Sequence, residues 1–125
     1  MPEESIEKTP EEYQNVSLDD FVEYSKSMVE YWTEDDFASS FRKMLTIEQF
    51  RSEEMQNLYQ QYLVSGPAEY VKDLFKNMKI KNPEENAVKF YANMFFYYSM
   101  YDGAADKANS QFEQMMGKIV EEMKQ

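Results

Sequence analysis

No cysteine and no histidine occur among the 125 residues. The first absence excludes disulfides, thiol catalysis and zinc–thiolate sites. The second removes the commonest general base and the commonest metal ligand. The sequence is therefore read as non-enzymatic, with no metal and no cofactor. Glycine (3) and proline (4) are scarce, and no stretch alternates apolar and polar residues as a strand would, so the chain reads as all-α. No apolar run approaches the roughly 20 residues that span a bilayer, and the leading MPEESIEKTPEE lacks the apolar segment of a secretory signal. Basic residues are also few. Thirteen Lys and Arg stand against 24 Asp and Glu, a net charge of −11. The nearest approach to a phosphate-binding cluster is Met78-Lys79-Ile80-Lys81. This chain alone is thus expected to bind neither nucleic acid nor membrane.

What is present in quantity is apolar bulk. Hydrophobic residues make up 42% and aromatics 16%, which is no disordered composition and suffices for one buried core. Residues 1–16, with two prolines and five glutamates, read as an acidic linker or leading arm, with a possible helix cap at Thr9-Pro10. Residues 17–125 read as one domain. Ser17-Leu18-Asp19-Asp20 resembles a capping box with Val16 as its staple, and opens a helix to about Trp32. Its apolar face is Phe21, Tyr24 or Ser25, Met28 and Tyr31 or Trp32. Thr33-Glu34-Asp35-Asp36 caps a second helix, in which Phe37, Phe41, Met44, Leu45 and Glu48 follow at helical spacing. Ser52 caps a third, followed by Glu53 and Glu54 where acids favour the helix dipole. Its stripe is Met55, Leu58, Tyr59, Tyr62 and Leu63. At Gly66-Pro67 the helix either ends and restarts or kinks.

Asn82-Pro83-Glu84-Glu85 is the sharpest boundary, with Asn82 as N-cap, Pro83 at the first helical position and Glu85 completing a capping box. The helix to Tyr101 is apolar nearly all round. Ala87, Phe90, Met94, Tyr97 and Tyr101 form one side, Val88, Tyr91, Phe95 and Tyr98 another, with Phe96 and Met100 between. Asp102-Gly103 ends it, with Gly103 in the C′ position. A last helix follows over about 105–124. Such helices need cover on every side, and a second copy of the chain, packed as a four-helix bundle, supplies it. The expected dimer interface is Tyr91, Phe95, Tyr98, Phe112, Met116, Ile119 and Met123. The paired acids at helix starts are capping residues and not a catalytic or metal pair. Ten methionines and 20 rings fill either a solid core or a pocket. If a pocket, its lining is Phe41, Met44, Tyr59, Tyr62, Phe90, Asn93, Met94 and Tyr97. Its rings would favour a small apolar or cationic molecule.

Several ordered strings are similar to the sensor domain of TetR/AcrR-type transcriptional regulators. They are Leu45-Thr46-Ile47-Glu48-Gln49-Phe50, Ser52-Glu53-Glu54-Met55 with Leu58-Tyr59, Gly66-Pro67-Ala68-Glu69-Tyr70 with Leu74-Phe75, Asn82-Pro83-Glu84 with Phe90-Tyr91, and Met100-Tyr101-Asp102-Gly103. The resemblance covers about 17–125. It implies a cytoplasmic repressor's ligand-binding domain, an orthogonal bundle of about five to six helices whose last two form a homodimeric four-helix bundle. The family's helix-turn-helix segment is absent from this sequence, so DNA binding is assigned to a part outside it. The chain is then expected to be a piece of a regulator, or a relative without its DNA-binding part. The alternative is a stand-alone acidic helical module that binds another protein and no small molecule.

Overall fold

The computed structural model describes residues 16–125, and the expected leading arm lies almost wholly outside them. Every element among these residues is helical. Helix α1 (Leu18–Glu34) opens where Ser17 accepts the Asp20 N–H at 3.1 Å. Asp35 leaves helical geometry and starts α2 (Asp36–Glu48), its carboxylate accepting the Ala38 N–H at 2.8 Å. Thr33, expected in this cap, is still inside α1, where its hydroxyl donates to the Val29 carbonyl at 2.8 Å. Ser52 caps α3 (Glu53–Leu63) as expected, accepting from Met55 at 3.2 Å. Helix α4 (Ser65–Asn77) begins after one non-helical residue, Val64 (φ −125°, ψ −89°). The break therefore precedes Gly66-Pro67. Pro67 sits in the first turn, where a missing N–H costs little, and Gly66 lies against the Gln61 carbonyl of α3.

Lys79 and Asn82 shape the passage into the last element, both with left-handed backbone (φ 61° and 48°). At Lys79 the Ile80 N–H donates to the Phe75 carbonyl and the Lys79 N–H to the Lys76 carbonyl, both at 3.0 Å. This is the paired closure that ends many helices, usually with glycine in the left-handed position. Lysine there carries a Cβ penalty of about 1 kcal/mol. Lys79→Gly is expected to raise stability by about that amount in urea denaturation. A loss would mean the lysine side chain contributes more than its backbone costs. Asn82 precedes the helix but makes no side-chain cap. An N-cap accepts from extended backbone, and a left-handed residue does not aim its carboxamide at the helix amides. Asn86 instead donates to the Lys81 carbonyl at 2.7 Å, so the expected capping box is not formed.

Helix α5 (Pro83–Met123) is broken at Ala104 (φ −156°, ψ 66°). An unbroken helix would hold residues 93 and 112 about 28 Å apart. Instead Asn93 Nδ2 donates to the Phe112 carbonyl at 3.3 Å, and the Tyr97 and Phe112 rings lie 5.0 Å apart. The element is thus a hairpin bent at 103–104. The bend does not use the left-handed glycine expected at Gly103, since no glycine has positive φ. The second half of the hairpin runs antiparallel to α1, tied by Lys26–Glu113 at 3.2 Å and Lys124–Asp19 at 2.8 Å.

The centre of the core is a cluster of three rings, Phe21 of α1, Phe75 of α4 and Phe90 of α5, with centroids 5.4–5.9 Å apart. These helices also cover the face expected to meet a second copy. Tyr91, Tyr98, Phe112, Met116 and Ile119 are buried within the chain, and Phe95 and Met123 are half-buried. What α5 leaves outside is Val88, Phe96 and Met115. Helix α2 differs most from expectation. Its inward face is Ala38, Arg42 and Leu45, whereas Phe37 and Met44 are exposed and Phe41 is half-buried. Among the described residues no helix is long and apolar enough to cross a membrane.

Candidate functional site

Between α1, the end of α3, the start of α4 and the first half of α5 lies a cavity of about 300 Å³. Helix α1 presents Phe21, Tyr24, Ser25, Met28 and Trp32, spaced one turn apart along one flank. The α3–α4 break contributes Gln61, Tyr62, Leu63, Gly66 and Pro67, and α4 adds Tyr70 and Val71. Tyr91, Met94 and Tyr98 of α5 form the back wall. No lining side chain is charged. Rings, thioethers and a few hydroxyls are what a small-molecule site commonly offers, and the volume lies at the small end of such sites, about 300–1,000 Å³.

The eight residues expected from sequence to line one pocket fall in several places. Tyr62 and Met94 line the cavity. Phe41 stands behind them, its ring 5.4 Å from Tyr62 and 6.3 Å from Trp32. Phe90 is part of the core cluster and fully buried, Tyr59 is half-buried on α3, and Met44 is exposed on α2. Asn93 and Tyr97 belong to a second crease of about 360 Å³ between the halves of the α5 hairpin, beside Phe96, Met100 and Met115. Tyr91 and Tyr98, assigned above to the dimer interface, are cavity walls. The Tyr24-Met28-Trp32 spacing was readable in the sequence; that it lines a space and not a solid core was not.

Two buried devices hold the walls. The Tyr91 hydroxyl donates to the Leu63 carbonyl, satisfying an acceptor left over at the end of α3. Arg42 is buried, at 5% exposure, and reaches three partners. Its Nε donates to the Trp32 carbonyl at 3.1 Å, and its two terminal nitrogens bind the Asp102 carboxylate at 3.0 and 3.2 Å. The guanidinium carbon lies 5.7 Å from the centroid of the Tyr98 ring, within cation–π range. One side chain thus joins two cavity-lining residues to the bend of the α5 hairpin. Sequence reading missed it, because a buried arginine looks like any surface one.

Burial pushes the Tyr91, Tyr97 and Tyr98 hydroxyls above the usual phenol range; at Tyr98 the Arg42 charge only partly offsets this. The folded protein holds these protons more tightly than the unfolded chain, so the stability is complete below the ordinary phenol pKa of about 10 and falls as pH rises above it. The limiting slope is about 1.4 kcal/mol per pH unit for each tyrosine still neutral in the fold. Urea midpoints between pH 9 and 12 are expected to fall steeply in the wild type and less steeply in Tyr91→Phe.

Among the described residues no group of acidic side chains is placed to hold a metal ion. No protein-family model, curated protein or solved structure matches the chain.

Proposed function

We propose that the domain is a small-molecule sensor of the kind that TetR-type regulators carry beside their DNA-binding part, binding an apolar or cationic molecule and pairing with a second copy of itself. The observation that carries this reading is the uncharged aromatic cavity between α1, α3–α4 and α5. The ordered sequence strings support the regulator half of the reading, and they rest on sequence alone. Apolar side chains still exposed on the α5 hairpin, Phe96 above all, with Val88 and Met115, support pairing through a different surface from the one the sequence suggested.

Trp32 is the only tryptophan and it lines the cavity, so it reports occupancy directly. Titration with the cation tetraphenylphosphonium and with an uncharged biphenyl is expected to change Trp32 fluorescence saturably. Tyr62→Ala should weaken the binding about tenfold, as expected for one lost ring contact. Native mass spectrometry should show a dimer. Absence of any saturable change, with a monomeric chain, would sink the sensor reading and leave the protein-interaction module.

A further inference from the structure

The cavity does not end at its rim. Outside it the rings continue along α2, from Phe41, which sequence reading had placed in the pocket lining, to Phe37. Trp32 and Tyr62 of the cavity wall both touch Phe41, at 6.3 and 5.4 Å between centroids. Phe41 in turn stacks on Phe37 at 6.2 Å with ring planes only 3° apart. Phe37 is 75% exposed, and about two and three turns further along α2 Met44 and Ile47 are exposed as well. Exposed apolar side chains also occur at Phe50, Val88, Phe96 and Met115, but Phe37 is joined through Phe41 to the rings of the cavity wall, and exposed apolar surface continuous with a cavity marks a binding surface.

We propose that this ring stair is the outer half of the binding site, and that its occupant is an elongated molecule. One end fills the cavity and an apolar body lies over Phe41 and Phe37. The inference rests on the cavity being a binding site. The occupant's charge follows from what surrounds the stair. The cavity lining holds no cation, Arg42 is consumed by Asp102, and Lys43 also leans on Asp102 at 3.8 Å. The exposed residues beside Phe37 are Glu34, Asp35 and Asp36. A carboxylate or phosphate head would lack a counter-charge here, so the head is neutral or positive. The class is a long-chain alcohol or amine and not a fatty acid.

The test is a homologous series of n-alkyltrimethylammonium salts and n-alcohols, below their aggregation limits, read by Trp32 fluorescence on the whole chain. Affinity is expected to rise about fourfold per methylene, and to keep rising for chains too long for the cavity. Phe37→Ser, at a surface position, should flatten the series for the long members and leave the short members unchanged. Carboxylates of equal length should bind at least tenfold more weakly. A series in which short members bind and longer ones gain nothing would overturn the stair while leaving the cavity reading intact. Failure of every member would overturn both. If Phe37→Ser left the series unchanged but converted a dimer to a monomer, the stripe would be covered by a second copy, and the proposal would be wrong.

Discussion

Gly66→Ala is expected to cost about 3 kcal/mol or more, although alanine is the better helix former by about 1 kcal/mol. An added Cβ at Gly66 would lie 1.9 Å from the Gln61 carbonyl oxygen and 2.8 Å from its carbon. Both atoms are backbone, so no side-chain rotation relieves the overlap. Either α4 moves away from the end of α3 or the chain reopens at Val64. Overpacking by a single methyl group commonly costs about 1–3 kcal/mol where neighbours can shift, and here they cannot without reshaping a cavity wall. Urea denaturation of the alanine variant measures the loss directly. A variant as stable as the wild type would mean that the two helices do not approach as described. Since Gln61 and Gly66 both line the cavity, the variant should also lose its Trp32 response.

Asp102→Ala should be nearly as damaging, at about 3 kcal/mol. It leaves Arg42 buried with a full charge and only the Trp32 carbonyl and the Tyr98 ring as partners. Removing one member of a buried pair commonly costs about 3–5 kcal/mol. The lower end applies because Asp102 is itself 38% exposed, so water can reach the vacated side. Removing both charges is a different matter. Arg42→Met with Asp102→Ala should recover most of the loss, since a packed apolar side chain often replaces a buried pair at little cost. A double-mutant cycle gives the coupling, expected at about 2 kcal/mol. A coupling near zero would reduce Arg42 to packing alone. Arg42→Lys should fail to substitute, because an ammonium cannot hold two carboxylate oxygens and a backbone carbonyl in one plane.

How far the sequence disclosed this structure depends on which kind of signal is asked. Purely local start signals held at two helices. Ser17 and Ser52 cap where their side chains reach amides three residues on, whereas the second helix is capped by Asp35, two residues after the Thr33 that opens its expected motif. Signals that depend on the path of the chain were less reliable. Asn82 and Gly103 looked like a cap and a left-handed stop, yet the backbone turns left-handed at Lys79 and Asn82 and breaks at Ala104. The facing of α2 was misjudged because size was taken for burial. Phe37 and Met44 lie outward while Ala38 and Arg42 lie inward, since close approach of α2 to its neighbours favours a small residue and one that hydrogen-bonds across. The site suffered from the same fault. Residues were assigned to a pocket by helix face, and the hairpin in α5 sent Asn93 and Tyr97 to a different crease from Met94.

The order of the helices has a kinetic consequence. Helices α1 to α5 each pack on their neighbours in the chain, and the distant closures bring α1 onto α4 and α5 and α2 onto α5. Chains whose contacts are mostly local fold fast, because little loop entropy is spent before contacts form. Here the α3–α4 corner and the α5 hairpin can each assemble from adjacent segments, while the docking of α1, and of α2 through Arg42 and Asp102, must wait for the last third of the chain. Phe21, which joins α1 to Phe75 and Phe90, is then the residue whose contacts mark the end of folding. The cavity comes into being at that same step, since α1 supplies its front wall.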